Sequence, residues 1–398
     1  MAILENYHLI IHVIIALAAA LIISFALTPV VKSFAQKVGA VDVPRDARRM
    51  HKVPIPRLGG LAIFLGFLVS VLAFANMTYQ LQGILLGAVI IVVLGALDDV
   101  TPLPALLKFV VQIIASMIPI FHGVVISCIS NPNLFSDNPY WHLGWLAIPV
   151  TVLWIVGVTN AVNLIDGLDG LAIGVSSISS LTVLAIAMIV SEENVAVVMA
   201  ALLGACIGFM PYNMNPAKIF MGDTGSTFLG FVLACISIQG LFKFYAVISF
   251  VVPFLILGLP IFDTAFAFIR RIAHGQNPMS PDRSHVHHRL IDMGLNQKQA
   301  VAVLYVISAI LGLAAVVLTT GGELKALVLL VALMLVGVVA ARVIFPPARP
   351  KEENGEHTLS DALASLEAEG KKDDKPAEGA ETECEKTDEN GGVEKNGK

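Results

Sequence analysis

Charged residues are scarce in this chain, and their scarcity excludes an ordinary soluble domain. Only 14% of the 398 residues are Asp, Glu, Lys or Arg, whereas 56% are hydrophobic and the mean hydropathy is +0.80. Soluble domains carry about 25% charged residues and about 45–50% apolar ones. Because apolar runs long enough to cross a bilayer recur along the sequence, we predict an all-α polytopic membrane protein.

Cysteine is also scarce, and its spacing matches neither a disulfide framework nor a metal site. The four cysteines, Cys128, Cys206, Cys235 and Cys384, are far apart in the sequence. A cleavable signal peptide is not recognisable either. The first apolar run, residues 8–31, is too long and lacks a basic flank, so we interpret it as a retained helix.

Eleven apolar runs predict eleven membrane-spanning helices, because about 20 residues are needed to cross the ~30 Å hydrocarbon core. They lie at 8–31, 58–75, 82–97, 105–121, 145–162, 170–190, 195–212, 227–242, 246–269, 299–319 and 325–345. Each run is apolar all around, which excludes the alternating pattern of a β-barrel.

The distribution of basic residues predicts the orientation of these helices. Most Lys and Arg residues of the membrane domain, residues 1–345, fall in loops 32–57 and 270–298, whereas the opposite loops offer only Lys243 and Lys325. The positive-inside rule then places the N-terminus outside and the C-terminus in the cytoplasm.

Two segments outside the predicted helices have their own signatures. Residues 346–398 hold 15 of the 30 acidic residues and 8 of the 25 basic ones, with few aromatics, so this tail should be disordered. Segment 122–144 is rich in Asn, Pro and aromatic residues, which favours a short hairpin or turn at the membrane interface.

Five aspartates lie at the ends of predicted spans, all on the cytoplasmic side. Asp98 and Asp99 end the third span, Asp166 and Asp169 join the fifth and sixth, and Asp223 precedes the eighth. Carboxylates at membrane depth are costly and usually functional. Since loop charge alone set the orientation, this agreement predicts one cytoplasmic site.

The adjacent pair Asp98 and Asp99 ends a helix, where the helix dipole disfavours anions and the two carboxylates repel each other. A cation such as Mg²⁺ would offset both effects. The alternative is that the pair anchors the helix at the interface or caps the next helix, which Thr101 and Pro102 already start.

The segment NAVNLIDGLDGLA places Asn160, Asn163, Asp166 and Asp169 at every third position. On a helix this spacing keeps neighbours near one face, and the glycines that follow the aspartates let a backbone approach a phosphate closely. In the alternative, Asp166 closes one helix and Asp169 caps the next, which leaves the asparagines unexplained.

In FMGDTGS, Asp223 stands where a new helix begins, a position suited to an anion and to Mg²⁺ held against that anion. Simple N-capping by Asp223 or Thr224 explains this motif equally well.

The loop SPDRSHVHHRL contains Arg283, His285, His287 and His288, residue types that recognise phosphates. The alternatives are a zinc site on HxHH, although no cysteine accompanies it, and an ordinary basic loop.

Lys52 and Arg57, in MHKVPIPRLGG, lie close to the start of the second predicted span, where they could attract an anionic lipid head group. In the alternative, these basic residues only set the topology. Carboxylates with Mg²⁺, an anion-binding turn and a cationic loop at the rim of a helix bundle together indicate phosphoryl transfer between a soluble and a lipid-borne phosphate.

The motifs LGALDDV, NAVNLIDGLDGLA, NPAKIFMGDTGS and SPDRSHVHHRL occur in this order. Together they resemble the polyprenyl-phosphate N-acetylhexosamine-1-phosphate transferases, the MraY/WecA/TagO group of glycosyltransferase family 4, over residues 29–345. The HxHH loop and the eleven spans are similar to the WecA/TagO branch, which uses UDP-GlcNAc. The MraY branch uses UDP-MurNAc-pentapeptide.

The resemblance implies transfer of GlcNAc-1-phosphate from UDP-GlcNAc to undecaprenyl phosphate, with release of UMP, at the bacterial cytoplasmic membrane. It implies Mg²⁺ as the cofactor, with Mn²⁺ as the alternative ion, the lipid bilayer as the surroundings and no nucleic-acid partner. A homodimer stays open, as do direct attack and a route through an aspartyl-phosphate.

The same resemblance assigns roles to individual residues. Asp223 is the principal metal ligand, and Asp98 and Asp99 form a dyad near the lipid phosphate with Asp98 as the base. The residues expected at the nucleotide and metal pocket are Asn160, Asn163, Asp166 and Asp169. Those expected at the phosphates and the sugar are Lys52, Arg283, His285, His287 and His288.

Other functions stay open beside this one. The same chemistry with another UDP-N-acetylhexosamine or with UDP-MurNAc-pentapeptide differs only in the sugar. A transporter of a phosphorylated solute should show repeated halves and polar residues at the bilayer midplane, and neither is visible. A membrane scaffold would leave the aspartates unexplained.

Overall fold

The computed structural model describes residues 2–43, 53–130, 140–241, 251–275 and 285–320, together with residues 325 and 331. The remainder of the predicted span 325–345 and the tail 346–398 lie outside the described residues. The helices are α1 (Ala2–Lys37), α2 (Gly60–Phe74), α3 (Tyr79–Val100), α4 (Ala105–Phe121), α5 (Ala147–Leu164), α6 (Leu171–Ile189), α7 (Glu193–Asn213), α8 (Gly222–Leu241), α9 (Val251–Ile256), α10 (Gly258–Ala273), α11 (Val286–Asp292) and α12 (Gln297–Thr319).

The apolar runs of the sequence form these helices, because a helix satisfies its own backbone hydrogen bonds in a bilayer. Among the described residues, six helices are long and apolar enough to cross a membrane, and α2 and α4 are shorter apolar helices. The six are α1, α3, α5, α6, α7 and α12. The prediction of an all-α polytopic membrane protein is confirmed, whereas the count of eleven spans and the orientation stay predictions.

Two short antiparallel hairpins accompany the helices. The first pairs β1 (Val41–Asp42) with β2 (Ile55–Pro56). The second pairs β3 (Cys128–Ser130) with β4 (Tyr140–His142), which confirms the hairpin predicted for segment 122–144.

The predicted span 246–269 is interrupted, because α9 ends at Ile256 and α10 begins at Gly258. Pro260 stands in the first turn of α10. Proline is tolerated there, since an amide in that turn has no partner within the helix, whereas in a helix interior it breaks the ladder. Pro260 therefore favours a new helix start at Gly258, after α9.

Helix α8 is the buried centre of the fold, and every residue from Thr224 to Ile238 is buried. Its first turn approaches neighbouring backbones at glycines. A Cβ on Gly60 of α2 would lie 2.1 Å from the Gly225 nitrogen, and one on Gly95 of α3 would lie 2.5 Å from Cα of Thr224. Small residues allow such close approach of helices in membranes, and here they bring α3 against the start of α8.

We therefore expect Gly95→Ala to destabilise the protein by about 1–3 kcal/mol, because the added methyl group overlaps the α8 backbone. The shift moves Asp223 relative to Asp98 and Asp99, so activity should fall as well. Thermal unfolding in detergent and a transfer assay measure the two effects.

Gly157→Ala is the matched control, since a Cβ on this glycine of α5 meets nothing within 4 Å. It should stabilise the helix by about 0.5–1 kcal/mol. Equal behaviour of the two variants would contradict the close packing of α3 on α8.

Candidate functional site

A cavity of about 590 Å³ lies among the β1–β2 hairpin, the α5–α6 and α7–α8 connections, and the starts of α8 and α12. Ten of its eighteen lining residues are polar or charged. The polar residues that line it are the acids Asp42, Asp166, Asp169 and Asp223, the amides Asn163, Asn213, Asn215 and Gln297, and the basic residues Arg57 and His288. The fold therefore gathers at one place the acidic segments that the sequence placed far apart.

The predicted site residues divide into three groups. Five line the cavity: Asn163, Asp166, Asp169, Asp223 and His288. Five others belong to the described residues but do not line the cavity: Asp98, Asp99, Asn160, His285 and His287. Lys52 and Arg283 lie outside the described residues.

Asp99 ties α3 to the start of α8, and its side chain is fully buried. Its carboxylate accepts hydrogen bonds from the backbone N–H of Asp223 and of Thr224, both at 3.0 Å, and from Oγ1 of Thr224 at 2.6 Å. It also pairs with the guanidinium of Arg57 at 3.2 Å. The cap of α8 thus comes from a different helix rather than from Asp223 or Thr224, and it satisfies amides that a helix N-terminus leaves free.

Asp98 and Asp223 share a single cation, Lys108, in the first turn of α4. The Lys108 ammonium lies 3.0 Å from Oδ2 of Asp98 and 3.1 Å from Oδ2 of Asp223. The second oxygen of Asp98 accepts the backbone N–H of Leu103 at 2.7 Å. Asp98 therefore fits both interpretations of its motif. It organises the turn before α4, and it also pairs with a cation beside the cavity.

The two asparagines of NAVNLIDGLDGLA lie on α5 but have different surroundings. Asn163 donates to Oγ of Ser226 on α8 at 2.8 Å and lines the cavity. Asn160, one turn earlier, donates to Oε1 of Gln112 on α4 at 2.6 Å. Because α5 ends at Leu164, the three-residue spacing does not continue as a helical face through the aspartates.

Asp169 fastens the α5–α6 connection to the α7–α8 connection. Its Oδ2 accepts from Nδ2 of Asn215 at 2.9 Å and from the backbone N–H of Ala217 at 3.0 Å. The N-cap of α6 is Gly170, in the left-handed conformation with φ of 81°, and no side chain caps it. Asp169 is thus committed to the cavity wall and does not cap the helix that follows.

The surroundings of Asp166, in the α5–α6 connection, shift the pKa of its carboxyl group. Asp166 keeps partial access to solvent through the cavity, yet protein atoms crowd around it. Burial raises the pKa of Asp166 to about 8, and the negative charges of Asp223 and Asp99 add to this effect. A cation placed beside Asp166 would favour its ionised form.

The histidine segment is held by Asp263 of α10. Its carboxylate accepts Nδ1–H of His285 at 3.0 Å and the backbone N–H of Val286 at 2.8 Å. His287 is buried beneath Gly167, and this burial lowers the pKa of His287 to about 4. Two of the three histidines are therefore packed inside the protein, and His288 reaches the cavity.

Asp263→Ala should loosen this segment, because it leaves the buried imidazole N–H of His285 and the part-buried amide of Val286 without an acceptor. We expect a loss of about 1–3 kcal/mol in unfolding free energy and faster hydrogen exchange in α11. Asp292→Ala, at the exposed end of α11, is the control. Unchanged exchange in the Asp263 variant would exclude an anchoring role.

The charges around the cavity fit a divalent cation. Four carboxylates line it, with one guanidinium among the described lining residues, so phosphates would meet net negative charge. Mg²⁺ uses one or two carboxylates and completes its shell with water and substrate phosphates. Among the described residues, no group of three or more His, Cys, Asp or Glu side chains is arranged to hold a metal ion with protein ligands alone.

Sequence reasoning missed two functional candidates, Lys108 and Asp263. Each is an isolated charge inside an apolar run, and such residues are functional candidates in membrane proteins. Lys108 pairs with residues 10 and 115 positions away, and Asp263 pairs with His285, 22 positions away. These partners could not be read from the sequence, so the isolated charge was the one available signal.

Comparison with known proteins places this arrangement among enzymes. Residues 81–241, which include all five aspartates of the predicted site, match the family described as glycosyl transferase family 4. The chain is 42% identical over 309 residues to the probable undecaprenyl-phosphate N-acetylglucosaminyl 1-phosphate transferase of Bacillus subtilis (strain 168), covering 77% of this chain and 85% of that protein.

Two further relatives have different names. The chain is 32% identical over 328 residues to the decaprenyl-phosphate N-acetylglucosaminephosphotransferase of Mycobacterium tuberculosis (strain CDC 1551 / Oshkosh), covering 73% of this chain and 78% of that protein. It is 37% identical over 237 residues to the phospho-N-acetylmuramoyl-pentapeptide-transferase of Heliobacterium modesticaldum, covering 56% and 73% respectively.

Proposed function

Because this chain belongs to glycosyl transferase family 4, we propose that it transfers GlcNAc-1-phosphate from UDP-GlcNAc to undecaprenyl phosphate. The products are undecaprenyl-pyrophosphoryl-GlcNAc and UMP, and the reaction begins a cell-envelope glycan at the bacterial cytoplasmic membrane. The relatives named for transfer of this sugar phosphate to undecaprenyl or decaprenyl phosphate support both the sugar and the lipid class.

One structural observation carries the proposal. Carboxylates from the α5–α6 connection and from the start of α8 line the same cavity as Arg57, and apolar helices surround them. A water-soluble nucleotide and a lipid phosphate can meet only where a polar cavity adjoins the bilayer. This cavity provides the polar side of such a site.

Mg²⁺ is the proposed cofactor, and Asp223 and Asp166 of the cavity wall would hold it. After burial, the charge of Asp223 contributes most to the raised pKa of Asp166. Bound there, Mg²⁺ would neutralise the phosphate oxygens of the two substrates. Asp99 holds the backbone of Asp223 through a hydrogen bond, and Asp98 helps to position Asp223 through the ion pair of Asp98 with Lys108.

The reaction exchanges one pyrophosphate linkage for another. An oxygen of the lipid phosphate forms a bond to the phosphorus that carries the sugar, and the bond from this phosphorus to the bridging oxygen breaks as UMP leaves with that oxygen. The two linkages are similar in energy, so the protein must chiefly align the phosphates and offset their repulsion. Positioning of this kind supplies about 7–11 kcal/mol of the barrier reduction.

The residues of the wall divide this task. Arg57 and His288 line the cavity and carry N–H groups that can orient anionic oxygens there. The fixed contacts of Asp169 hold the two connections at a constant separation. Rigid walls of this kind keep the reacting groups aligned without reorganisation.

The test is incubation of the purified protein with Mg²⁺, undecaprenyl phosphate and a panel of UDP-sugars, with UMP release as the readout. UDP-GlcNAc should give the largest release, and omission of the lipid should prevent it. Release from UDP-MurNAc-pentapeptide alone would assign the chain the other sugar. Absence of release from every UDP-sugar would overturn the proposal.

A further inference from the structure

Lys108 is the cation that joins Asp98 to Asp223. Its ammonium lies 3.0 and 3.1 Å from one oxygen of each carboxylate, and its side chain is 30% exposed. The two aspartates belong to different helices, α3 and α8, and the lysine belongs to a third, α4. The one charged residue of α4 thus bridges three helices at the edge of the cavity.

Geometry explains why this position needs a cation. Since both carboxylate oxygens lie within 3.1 Å of the same nitrogen, they are no more than about 6 Å apart. Like charges this close repel each other strongly where water is partly excluded. A positive charge between them therefore keeps Asp223 near Asp98.

Arg57, the neighbouring cation, is already committed elsewhere. Its guanidinium pairs with Asp99 at 3.2 Å and approaches Asp42 at 3.9 Å. Within the described part of the chain, Lys108 is thus the cation paired with both Asp98 and Asp223.

We propose that Lys108 is an internal counter-cation that occupies the Asp223 carboxylate until a divalent cation binds there, and that binding of the metal releases it. The inference rests on the proposed function, which places Mg²⁺ at Asp223. Mg²⁺ and an ammonium compete for the same carboxylate oxygen, because each requires it as a close ligand. The released ammonium stands beside the cavity, where it pairs with a substrate phosphate.

The proposal makes an unusual prediction about metal affinity, since removing an active-site residue should tighten metal binding. Lys108→Met removes the charge and keeps the length of the side chain. Mn²⁺ binding, followed by electron paramagnetic resonance without substrates, should become about five- to tenfold tighter, as expected when a competing charged contact is lost. Lys108→Arg, which keeps the charge, should bind Mn²⁺ within about twofold of the unmodified protein.

Lys218→Met is the matched control, because it removes an exposed lysine that does not line the cavity. Its Mn²⁺ affinity should not change. Unchanged or weaker Mn²⁺ binding by a folded Lys108→Met protein overturns the proposal. If the Lys108→Met protein is unfolded in the absence of metal, adding Mn²⁺ should restore the folded state and its unfolding temperature. A variant that Mn²⁺ does not restore overturns the proposal as well.

The same measurements separate this inference from the proposed function. Mn²⁺ binding uses no UDP-sugar, so a protein that releases no UMP can still show tighter binding in Lys108→Met. Conversely, normal UMP release by the unmodified protein with unchanged Mn²⁺ affinity in the variant would leave the transferase intact and remove the counter-cation role.

Discussion

Asp223→Asn should abolish transfer while leaving the protein folded. The side chain contributes one ion pair, to Lys108 at 3.1 Å, whereas the backbone contact from its N–H to Asp99 does not involve the side chain. Loss of a carboxylate that positions a cation against the phosphates should lower the turnover rate by on the order of 10³-fold. UMP release and thermal unfolding of the purified variant measure the two properties.

Asp292→Asn provides the control for this substitution. It makes the same chemical change at an exposed position at the end of α11, so its turnover and unfolding temperature should match those of the unmodified protein. Normal turnover of Asp223→Asn would remove Asp223 from the metal site.

Asp99→Ala should chiefly lower the stability of the folded protein, whereas Asp223→Asn should chiefly lower its turnover rate. The substitution leaves the amides of Asp223 and Thr224 and the guanidinium of Arg57 without their acceptor inside the protein. Removing one partner of a buried charged network costs about 3–5 kcal/mol. Unfolding midpoints in detergent should fall well below those of Asp223→Asn, and activity should be lost with the fold.

The comparison of these two variants separates a structural aspartate from a functional one. Each loses a single carboxylate, and the two residues touch, so their charge effects are similar. An Asp99→Ala protein as stable as Asp223→Asn would show that the cap of α8 by Asp99 contributes little.

The helices were predictable from the sequence because the bilayer requires long apolar runs with internal hydrogen bonds. The eighth apolar run was predicted at 227–242, and FMGDTGS was expected to start its helix near Asp223. In the structure α8 begins at Gly222. Its first turn is helical because the Asp99 carboxylate caps it, and such a contact between distant residues has no local signature.

The candidate site was predictable in its residue types and only partly in its contacts. Asp166, Asp169 and Asp223 reach one cavity, as the common side of their loops implied. The role of Asn160 beside Gln112 and the anchoring of His285 by Asp263 depend on which helices become neighbours. Spacing along the chain carries no information about that choice.

The interruption between α9 and α10 illustrates a different limit. Proline and glycine are tolerated within membrane helices when neighbours satisfy the freed backbone groups, so Pro253 and Pro260 did not exclude a continuous span. The structure places Pro260 in the first turn of α10, and therefore two helices replace one.

The most direct test of a divalent cation at the acidic cavity is an experimental structure of the protein soaked with Mn²⁺ and UDP, with anomalous diffraction recorded at the manganese edge. We predict one strong anomalous peak within coordination distance of the Asp223 carboxylate, inside the cavity. A peak at the histidine segment 285–288, with none beside Asp223, would contradict this metal site and the mechanism that depends on it.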